Sequence, residues 1–260
     1  MKAVPDRTAL RGWYVISLRP AGEHSGVRRA ATARGAYTFA VSTLALRPIT
    51  GCQTDLIRAL SAPTIIFTSP AAVRFTRHCL PEHAAPRSAC CAVGAGTARL
   101  LRRWGVAEVA HPTGRMDSEA LLQLAPLHAP RGRRIGLISA PGGRDLIESR
   151  LRQAGAQVWR ADVYRRQSIT VPAARRLALT ELHARSAVLV SSAEALDALW
   201  QQLSPDQRDR MCRRPAIAAS ARLSARLAAL GFDQIEIATS AQPEAMLTAL
   251  AEAACARRFR

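Results

Sequence analysis

The chain has 260 residues, 48% of them hydrophobic, and carries a formal net charge of +18 at pH 7. This apolar share excludes an intrinsically disordered chain, and the length allows two modest domains. Because the sequence shows no apolar run long enough to span a membrane and no apolar stretch typical of a secretory signal, we predict a soluble cytoplasmic protein that does not span a membrane.

In the first half of the chain, short apolar strands alternate with amphipathic helices, a pattern typical of α/β folds. Strands are predicted at residues 13–18, 64–67, 89–93 and 106–110. Helices are predicted at residues 22–34, 52–60, from 70 onwards, from about 97 to 105, and at 118–127. Gly35 follows the first of these helices at a position favourable for a C-cap.

The second half of the chain continues the same alternation. Strands are predicted at residues 134–138, 188–190, 216–218 and 234–238, and helices at residues 144–154 and 243–254, with another helix after each of the two middle strands. The alternation predicts an α/β fold whose sheets are mostly parallel.

Two extended stretches, residues 37–46 and 157–170, lack a helix before the next element. If they pair, the chain passes twice between two domains. We therefore predict a discontinuous α/β domain of residues 1–38 plus 168–260 and an inserted α/β domain of residues 47–160. Residues 39–46 and 161–167 would be the linker strands, with a cleft between the domains.

A weak internal repeat supports two similar units. Residues 64–70 and residues 187–193 both read as a strand, two hydroxyl-bearing residues and the start of a helix.

The positive charge comes almost entirely from arginine, since Lys2 is the only lysine. The planar guanidinium group of arginine binds carboxylates and phosphates through two hydrogen bonds. The partner could therefore be a nucleic acid, a membrane surface or a polyanionic small molecule. Genome composition alone could also explain the arginine bias. The charge is spread along the chain rather than gathered in a tail, which argues against nucleic acid. The six cysteines form no C-x-x-C pair, which predicts reduced thiols and no metal site.

A glycine-rich turn, Gly94-Ala95-Gly96-Thr97, follows a predicted strand. A dinucleotide fingerprint would need a third small residue where this chain has Arg99. The turn is better suited to bind an anion at a helix N-terminus.

Hydroxyl residues follow several of the predicted strands, and each has a structural and a functional interpretation. Ser69 before Pro70 is a favourable helix N-cap, yet such turns at strand ends are also where α/β folds bind ligands. The same two interpretations apply to Thr68, Ser191, Ser192 and Ser220.

Tyr164 lies in the second extended stretch, where it is either an ordinary strand aromatic or a proton donor facing the cleft. The sequence has no Ser-His-Asp order, no H-E-x-x-H motif and no paired acids, and most of the scattered histidines are expected to be exposed. The protein is therefore either a binding protein or an enzyme that mainly positions a reactive substrate.

Several short segments in this order and spacing resemble the uroporphyrinogen-III synthase family over nearly the whole chain, from Trp13 to about Ala251. These segments are residues 16–20 (ISLRP), 67–73 (FTSPAAV), 92–98 (AVGAGTA), 141–145 (PGGRD), 163–166 (VYRR) and 190–192 (VSS). One segment departs from the pattern: many family members have a Gly-Pro and Thr where this chain has Ala218-Ala219-Ser220-Ala221.

The resemblance implies two α/β domains joined by a two-stranded ladder, and a lyase of tetrapyrrole and haem biosynthesis. Its substrate would be hydroxymethylbilane, a linear tetrapyrrole with eight carboxylates, cyclised with inversion of ring D and loss of water. It implies no metal and no organic cofactor, and we expect a monomer that binds no nucleic acid. The alternative is a non-catalytic two-domain α/β protein that binds an anionic ligand or nucleic acid.

The resemblance also assigns roles to residues. Tyr164 would assist departure of the substrate hydroxyl, and the other predicted positions would bind substrate: Arg19, Thr68, Ser69, Gly94, Thr97, Ser191, Ser192 and Ser220.

Overall fold

The computed structural model describes residues 8–80, 85–113, 118–142, 146–182 and 185–256. The chain divides into two compact units, unit 1 (Met1–Ala45 and Gln167–Arg260) and unit 2 (Leu46–Arg166). Within the described ranges, no helix is long and apolar enough to cross a membrane.

The strands, numbered in chain order, are β1 (Tyr14–Ser17), β2 (Tyr37–Ala40), β3 (Leu44–Pro48), β4 (Thr64–Phe67), β5 (Ala89–Ala92), β6 (Val109–Ala110), β7 (Arg134–Ser139), β8 (Gln157–Asp162), β9 (Tyr164–Ser168), β10 (Ser186–Val190), β11 (Ala216–Ala218) and β12 (Ile235–Ile237). The α-helices are α1 (Ser25–Thr32), α2 (Gln53–Leu60), α3 (Pro70–Cys79), α4 (Ala95–Trp104), α5 (Ser118–Leu122), α6 (Leu146–Gln153), α7 (Ala173–Thr180), α8 (Ala193–Trp200), α9 (Pro205–Cys212), α10 (Ala221–Ala229) and α11 (Pro243–Cys255).

Each unit is built on a five-stranded parallel sheet. The strand order is β12-β11-β10-β1-β2 in unit 1 and β6-β5-β4-β7-β8 in unit 2. Helices connect successive parallel strands, as such crossovers require. The prediction of an α/β fold with parallel sheets is confirmed.

Both sheets are covered on both faces, which explains why their strands read as continuous apolar runs. In β4 of unit 2, Ile65 and Phe67 belong to one core cluster and Ile66 to another. Val188 and Leu189 of β10 divide in the same way between the two clusters of unit 1. Alternate side chains of a strand therefore enter cores on opposite faces of the sheet.

Gly136 lets α2 pack closely against β7 in unit 2. A Cβ atom at this position would meet the carbonyl oxygen of Ala59, in α2, at 2.0 Å. Only glycine accommodates this approach of helix backbone to strand backbone.

The two units share one chain path in a permuted order. In unit 2 the path is continuous and runs β4-α3-β5-α4-β6-α5-β7-α6-β8. In unit 1 the equivalent path begins at β10, continues through β11 and β12 to α11, and is completed by β1, α1 and β2 of the N-terminal segment. The central strand of each sheet, β4 or β10, leads directly into two hydroxyl residues and a helix. The weak internal repeat in the sequence thus corresponds to a repeat of topology.

The two extended stretches each divide into two strands instead of forming a single linker. The first part of each stretch, β2 or β8, is an edge strand of a parallel sheet. The second parts, β3 and β9, pair with each other in a two-stranded antiparallel sheet. Backbone hydrogen bonds at its two ends join Ile49 to Val163, at 3.2 Å, and Ile169 to Thr43, at 2.8 Å. The expected two-stranded ladder is confirmed.

Three helical segments differ from the sequence-based expectation. The helix predicted at residues 118–127 ends at Leu122 and is followed by a 3-10 turn at Ala125–Leu127, because Pro126 lacks the N–H that an α-helix needs. The helices α7 and α9 were not predicted. The start of α9 carries a capping box in which Ser204 and Gln207 bond each other's backbone, and Pro205 follows at its first position.

Candidate functional site

In unit 2, the parallel register brings two hydroxyl groups together where β4 and β7 end. Phe67 pairs with Ile138, so the next residues, Thr68 and Ser139, lie side by side. Their side-chain oxygens are 3.1 Å apart, and the Thr68 hydroxyl also lies 3.3 Å from the carbonyl oxygen of Ile138. Thr68 does not cap a helix, so its hydroxyl is not needed to start α3.

Ser69 has both of the roles that its position allows. Its backbone is extended, and its Oγ accepts a hydrogen bond of 3.0 Å from the N–H of Ala72, so it is the N-cap of α3. The same Oγ lies 3.0 Å from the phenol oxygen of Tyr164. The structural interpretation of Ser69 is therefore confirmed, and its role in binding substrate stays a prediction.

Tyr164 is the first residue of β9 and packs into a core cluster of unit 2. Only 4% of it is exposed, and its ring stacks on Phe75 with 5.3 Å between ring centroids. Its phenol is satisfied by Ser69, as expected for a buried polar group. The side chain is thus more buried than its predicted position beside an open cleft would suggest, and its catalytic role stays a prediction.

The glycine-rich turn begins α4. Gly94 is the N-cap in an extended conformation, and its carbonyl accepts hydrogen bonds from the N–H groups of Thr97 and Ala98. Thr97 is buried, whereas Gly94 is half-buried and lies two residues beyond the end of β5. The turn therefore points the N-terminus of α4 toward the edge of the sheet where Thr68 also lies, since β4 and β5 run parallel.

Unit 1 repeats this arrangement of helix caps. Ser192 caps α8 by accepting from the N–H of Ala195 at 3.3 Å, and Ser220 caps α10 by accepting from the N–H of Leu223 at 3.4 Å. Ser191 lies between the end of β10 and Ser192, the N-cap of α8, and is half-buried. Ser191 in unit 1 and Thr68 in unit 2 are therefore the equivalent hydroxyls that no helix cap requires.

Arg19 lies beyond the end of β1 in unit 1. Its Nη2 donates a hydrogen bond of 2.6 Å to the carbonyl oxygen of Ala241, in the loop before α11. Burial lowers the pKa of the Arg19 guanidinium, while Glu23 and Glu244 oppose that shift. Arg19 is therefore a cation fixed at the carboxyl end of the sheet.

His24 is an exception to the expectation that most of the histidines are exposed. It is buried, with Nδ1 lying 2.9 Å from the Ser17 hydroxyl and Nε2 lying 2.8 Å from the Ser42 hydroxyl. Burial and the charges of Arg28, Arg19 and Arg175 lower its pKa from 6.5 to about 4. The sequence does contain one signal: the polar Ser17 ends an otherwise apolar strand.

The predicted residues thus form two groups, each within one unit. Thr68, Ser69, Gly94, Thr97 and Tyr164 belong to unit 2, while Arg19, Ser191, Ser192 and Ser220 belong to unit 1. Three residues of the motif at 141–145, namely Gly143, Arg144 and Asp145, lie outside the described residues. Across the described ranges, no three His, Cys, Asp or Glu side chains are grouped to hold a metal ion.

The chain is similar to a known family and to known proteins over most of its length. The model of the family described as uroporphyrinogen-III synthase HemD matches residues 26–248. The uroporphyrinogen-III synthase of Salmonella typhimurium strain LT2 is 30% identical over 241 residues, covering 89% of this chain and 96% of that protein. The uroporphyrinogen-III synthase of Escherichia coli K12 is 30% identical over 203 residues, covering 76% of this chain and 79% of that protein.

Solved structures share the fold. The uroporphyrinogen-III synthetase of Helicobacter pylori 26695 has a TM-score of 0.58 at 16% identity, covering 95% of this chain and 99% of that one. A mutant uroporphyrinogen III synthase of the extremely thermophilic bacterium Thermus thermophilus has a TM-score of 0.56 at 19% identity, covering 94% and 99%. At these identities the likeness concerns the fold alone.

We predict that His24 makes the protein less stable in mild acid. The folded state keeps the ring neutral down to about pH 4, whereas the unfolded chain binds a proton near pH 6.5. Between these values the unfolded state holds more protons, so the free energy of unfolding falls as the pH falls through this window. Urea denaturation across the window should show wild type losing more stability than His24→Gln, which does not titrate. Equal losses in the two proteins would contradict a neutral buried His24.

Proposed function

The chain belongs to the uroporphyrinogen-III synthase family, and from this premise we propose that it converts hydroxymethylbilane into uroporphyrinogen III as a hydro-lyase of haem biosynthesis. The observation that carries the proposal is the family match over residues 26–248, which includes segments of both units. We expect it to act in the cytoplasm as a monomer, without a cofactor and without nucleic acid.

The proposed reaction begins when the hydroxyl group of the terminal hydroxymethyl substituent leaves as water. The resulting azafulvene cation is attacked by the substituted carbon of ring D, which gives a spiro intermediate. That intermediate fragments and closes again with ring D inverted. Because the bilane also closes spontaneously to the symmetric type I isomer, the enzyme must favour the transition state that leads to the spiro intermediate.

The substrate's eight carboxylates need hydrogen-bond donors and cations at fixed positions. The strand-end hydroxyls of Thr68 and Ser191 are suited to this because no helix cap needs them. The Thr68 hydroxyl would exchange its 3.3 Å contact with the carbonyl of Ile138 for a carboxylate. The N-termini of α3, α4, α8 and α10 add backbone dipoles that favour a carboxylate. Arg19, held by the carbonyl of Ala241, supplies a charge-assisted donor. In this proposal binding and orientation provide most of the catalysis.

Tyr164 is proposed to assist departure of the hydroxyl group. Its phenol and the Ser69 hydroxyl, 3.0 Å apart, form a hydrogen-bonded pair at the N-terminus of α3. Either hydroxyl of such a pair is able to donate a proton, and stacking on Phe75 fixes the phenol ring. A proton shared in this way would stabilise the leaving oxygen as its bond to carbon breaks.

The product isomer tests the proposed function. Purified protein incubated with freshly made hydroxymethylbilane should give mainly the type III isomer, because ring D is inverted before closure. A reaction without enzyme, run in parallel, measures spontaneous closure to type I. Chromatographic separation of the isomers after oxidation gives the ratio. A product mixture identical to the enzyme-free reaction would contradict the proposed function.

Tyr164→Phe should slow turnover at least about tenfold, because the variant has no phenol hydrogen to assist departure of the substrate hydroxyl. The ring and its contact with Phe75 stay, so the thermal denaturation midpoint serves as a check that the fold is intact. Phe75→Leu is the control for packing, since it changes the same contact without removing the phenol. A Tyr164→Phe enzyme with the wild-type rate would leave Tyr164 with a structural role only.

A further inference from the structure

The Ser17-His24-Ser42 cluster of unit 1 was not among the predicted site residues. We propose that His24 orients the Ser42 hydroxyl to donate a hydrogen bond to a carboxylate of the substrate, which makes Ser42 a substrate-binding residue and His24 a positioning residue. This inference rests on the proposed function, because it takes the polycarboxylate bilane as the ligand.

The position of the hydrogen on the imidazole follows from the burial of Ser17. Ser17 is completely buried, and among the described residues its hydroxyl partner is Nδ1 of His24. A buried hydroxyl that only accepts would leave its own hydrogen unpaired, which is costly. Ser17 therefore donates to Nδ1, and the neutral ring carries its hydrogen on Nε2.

This arrangement determines the direction of the Ser42 hydroxyl. Nε2–H of His24 donates to Ser42 Oγ over 2.8 Å, so Ser42 uses a lone pair for the ring. Its O–H is then directed away from His24. Ser42 is half-buried, unlike Ser17, so a ligand is able to reach this hydrogen. The chain Ser17→His24→Ser42 thus presents one donor at the carboxyl end of β2.

The surroundings of Ser42 favour an anion. Arg19, Arg28 and Arg175 are near enough to His24 to disfavour its protonation, so the local field is positive. Arg175 is held in place: its guanidinium donates to the carbonyl of Ala40 at 2.9 and 3.2 Å and lies 3.8 Å from the centroid of the Phe39 ring. A carboxylate bound by Ser42 would gain from these charges without depending on protonation of His24.

Unit 2 has a different group at the end of its corresponding edge strand. There β8 ends in Asp162, whose carboxylate is 3.1 Å from Arg160. The Asp162 carboxylate, paired with Arg160, offers an acidic ligand no hydrogen-bond donor, whereas the Ser42 hydroxyl does. The two sheet edges are therefore not equivalent for substrate, and the donor that we propose belongs to unit 1 only.

Ser42→Ala should raise KM for hydroxymethylbilane about tenfold while kcat changes little, because a hydrogen bond to a charged group is lost. Ser42→Thr keeps the hydroxyl and should retain most of the affinity. Ser42→Val has the shape of the threonine variant without the hydroxyl and should not. Ser25→Ala, at the exposed first residue of α1, is the matched control and should keep the wild-type KM. Thermal denaturation of each variant separates loss of binding from loss of fold.

The positioning role of His24 is tested by non-additivity. His24→Leu should raise KM about as much as Ser42→Ala, and the double variant should be no worse than either. His24→Gln places an amide N–H near the position of Nε2 and should restore part of the affinity. If the rise in KM of the double variant equals the product of the rises in the two single variants, the positioning role is overturned.

The outcomes distinguish this inference from the proposed function. If wild type yields the type III isomer but Ser42→Ala and Ser42→Val keep the wild-type KM, the inference is overturned and the proposed function stands. If wild type yields only the spontaneous product, the proposed function is overturned first, and the inference falls with it. A selective rise in KM for the variants without a hydroxyl at residue 42 supports both.

Discussion

The parallel direction of all five strands in each unit is the constraint on which the candidate site depends. Because the strands run the same way, their carboxyl ends meet at one edge of the sheet, as do the N-termini of the helices that follow. The register between β4 and β7 brings the Thr68 and Ser139 hydroxyls within 3.1 Å, although 71 residues separate them in sequence. An antiparallel sheet would divide the same residues between two edges.

The repeated topology explains how one short chain provides two such edges. In both units the central strand leads into a hydroxyl residue, then a serine N-cap and then a helix. The first hydroxyl, Thr68 or Ser191, is spared from capping, whereas Ser69 and Ser192 each accept a backbone N–H. Capping therefore explains the conformation of these turns and does not use the first hydroxyl of either unit, although that of Thr68 contacts Ile138 and Ser139. The units differ beside this turn, where unit 1 adds the cluster around His24.

Strands and helices could be predicted from the sequence where their pattern of apolar residues matches the way they are buried in the fold. The interior strands β4 and β11 have their predicted bounds, because strands covered on both faces read as unbroken apolar runs. Helix α7, whose buried residues are Leu179 and Thr180, gives too little periodic signal to be predicted. The environment of His24 could not be predicted either, since Ser17 and Ser42 meet its ring only when β1 and β2 are paired.

The central claim is that strand-end hydroxyls, rather than the helix caps beside them, bind the substrate's carboxylates. Anaerobic calorimetric titration with uroporphyrinogen III, the product, tests it most directly in wild type, Thr68→Val, Ser191→Ala and the double variant. Each single substitution should weaken binding several-fold, about 1 kcal/mol, and the double variant should lose the sum because the hydroxyls belong to separate units. Wild-type affinity in the double variant would contradict the claim.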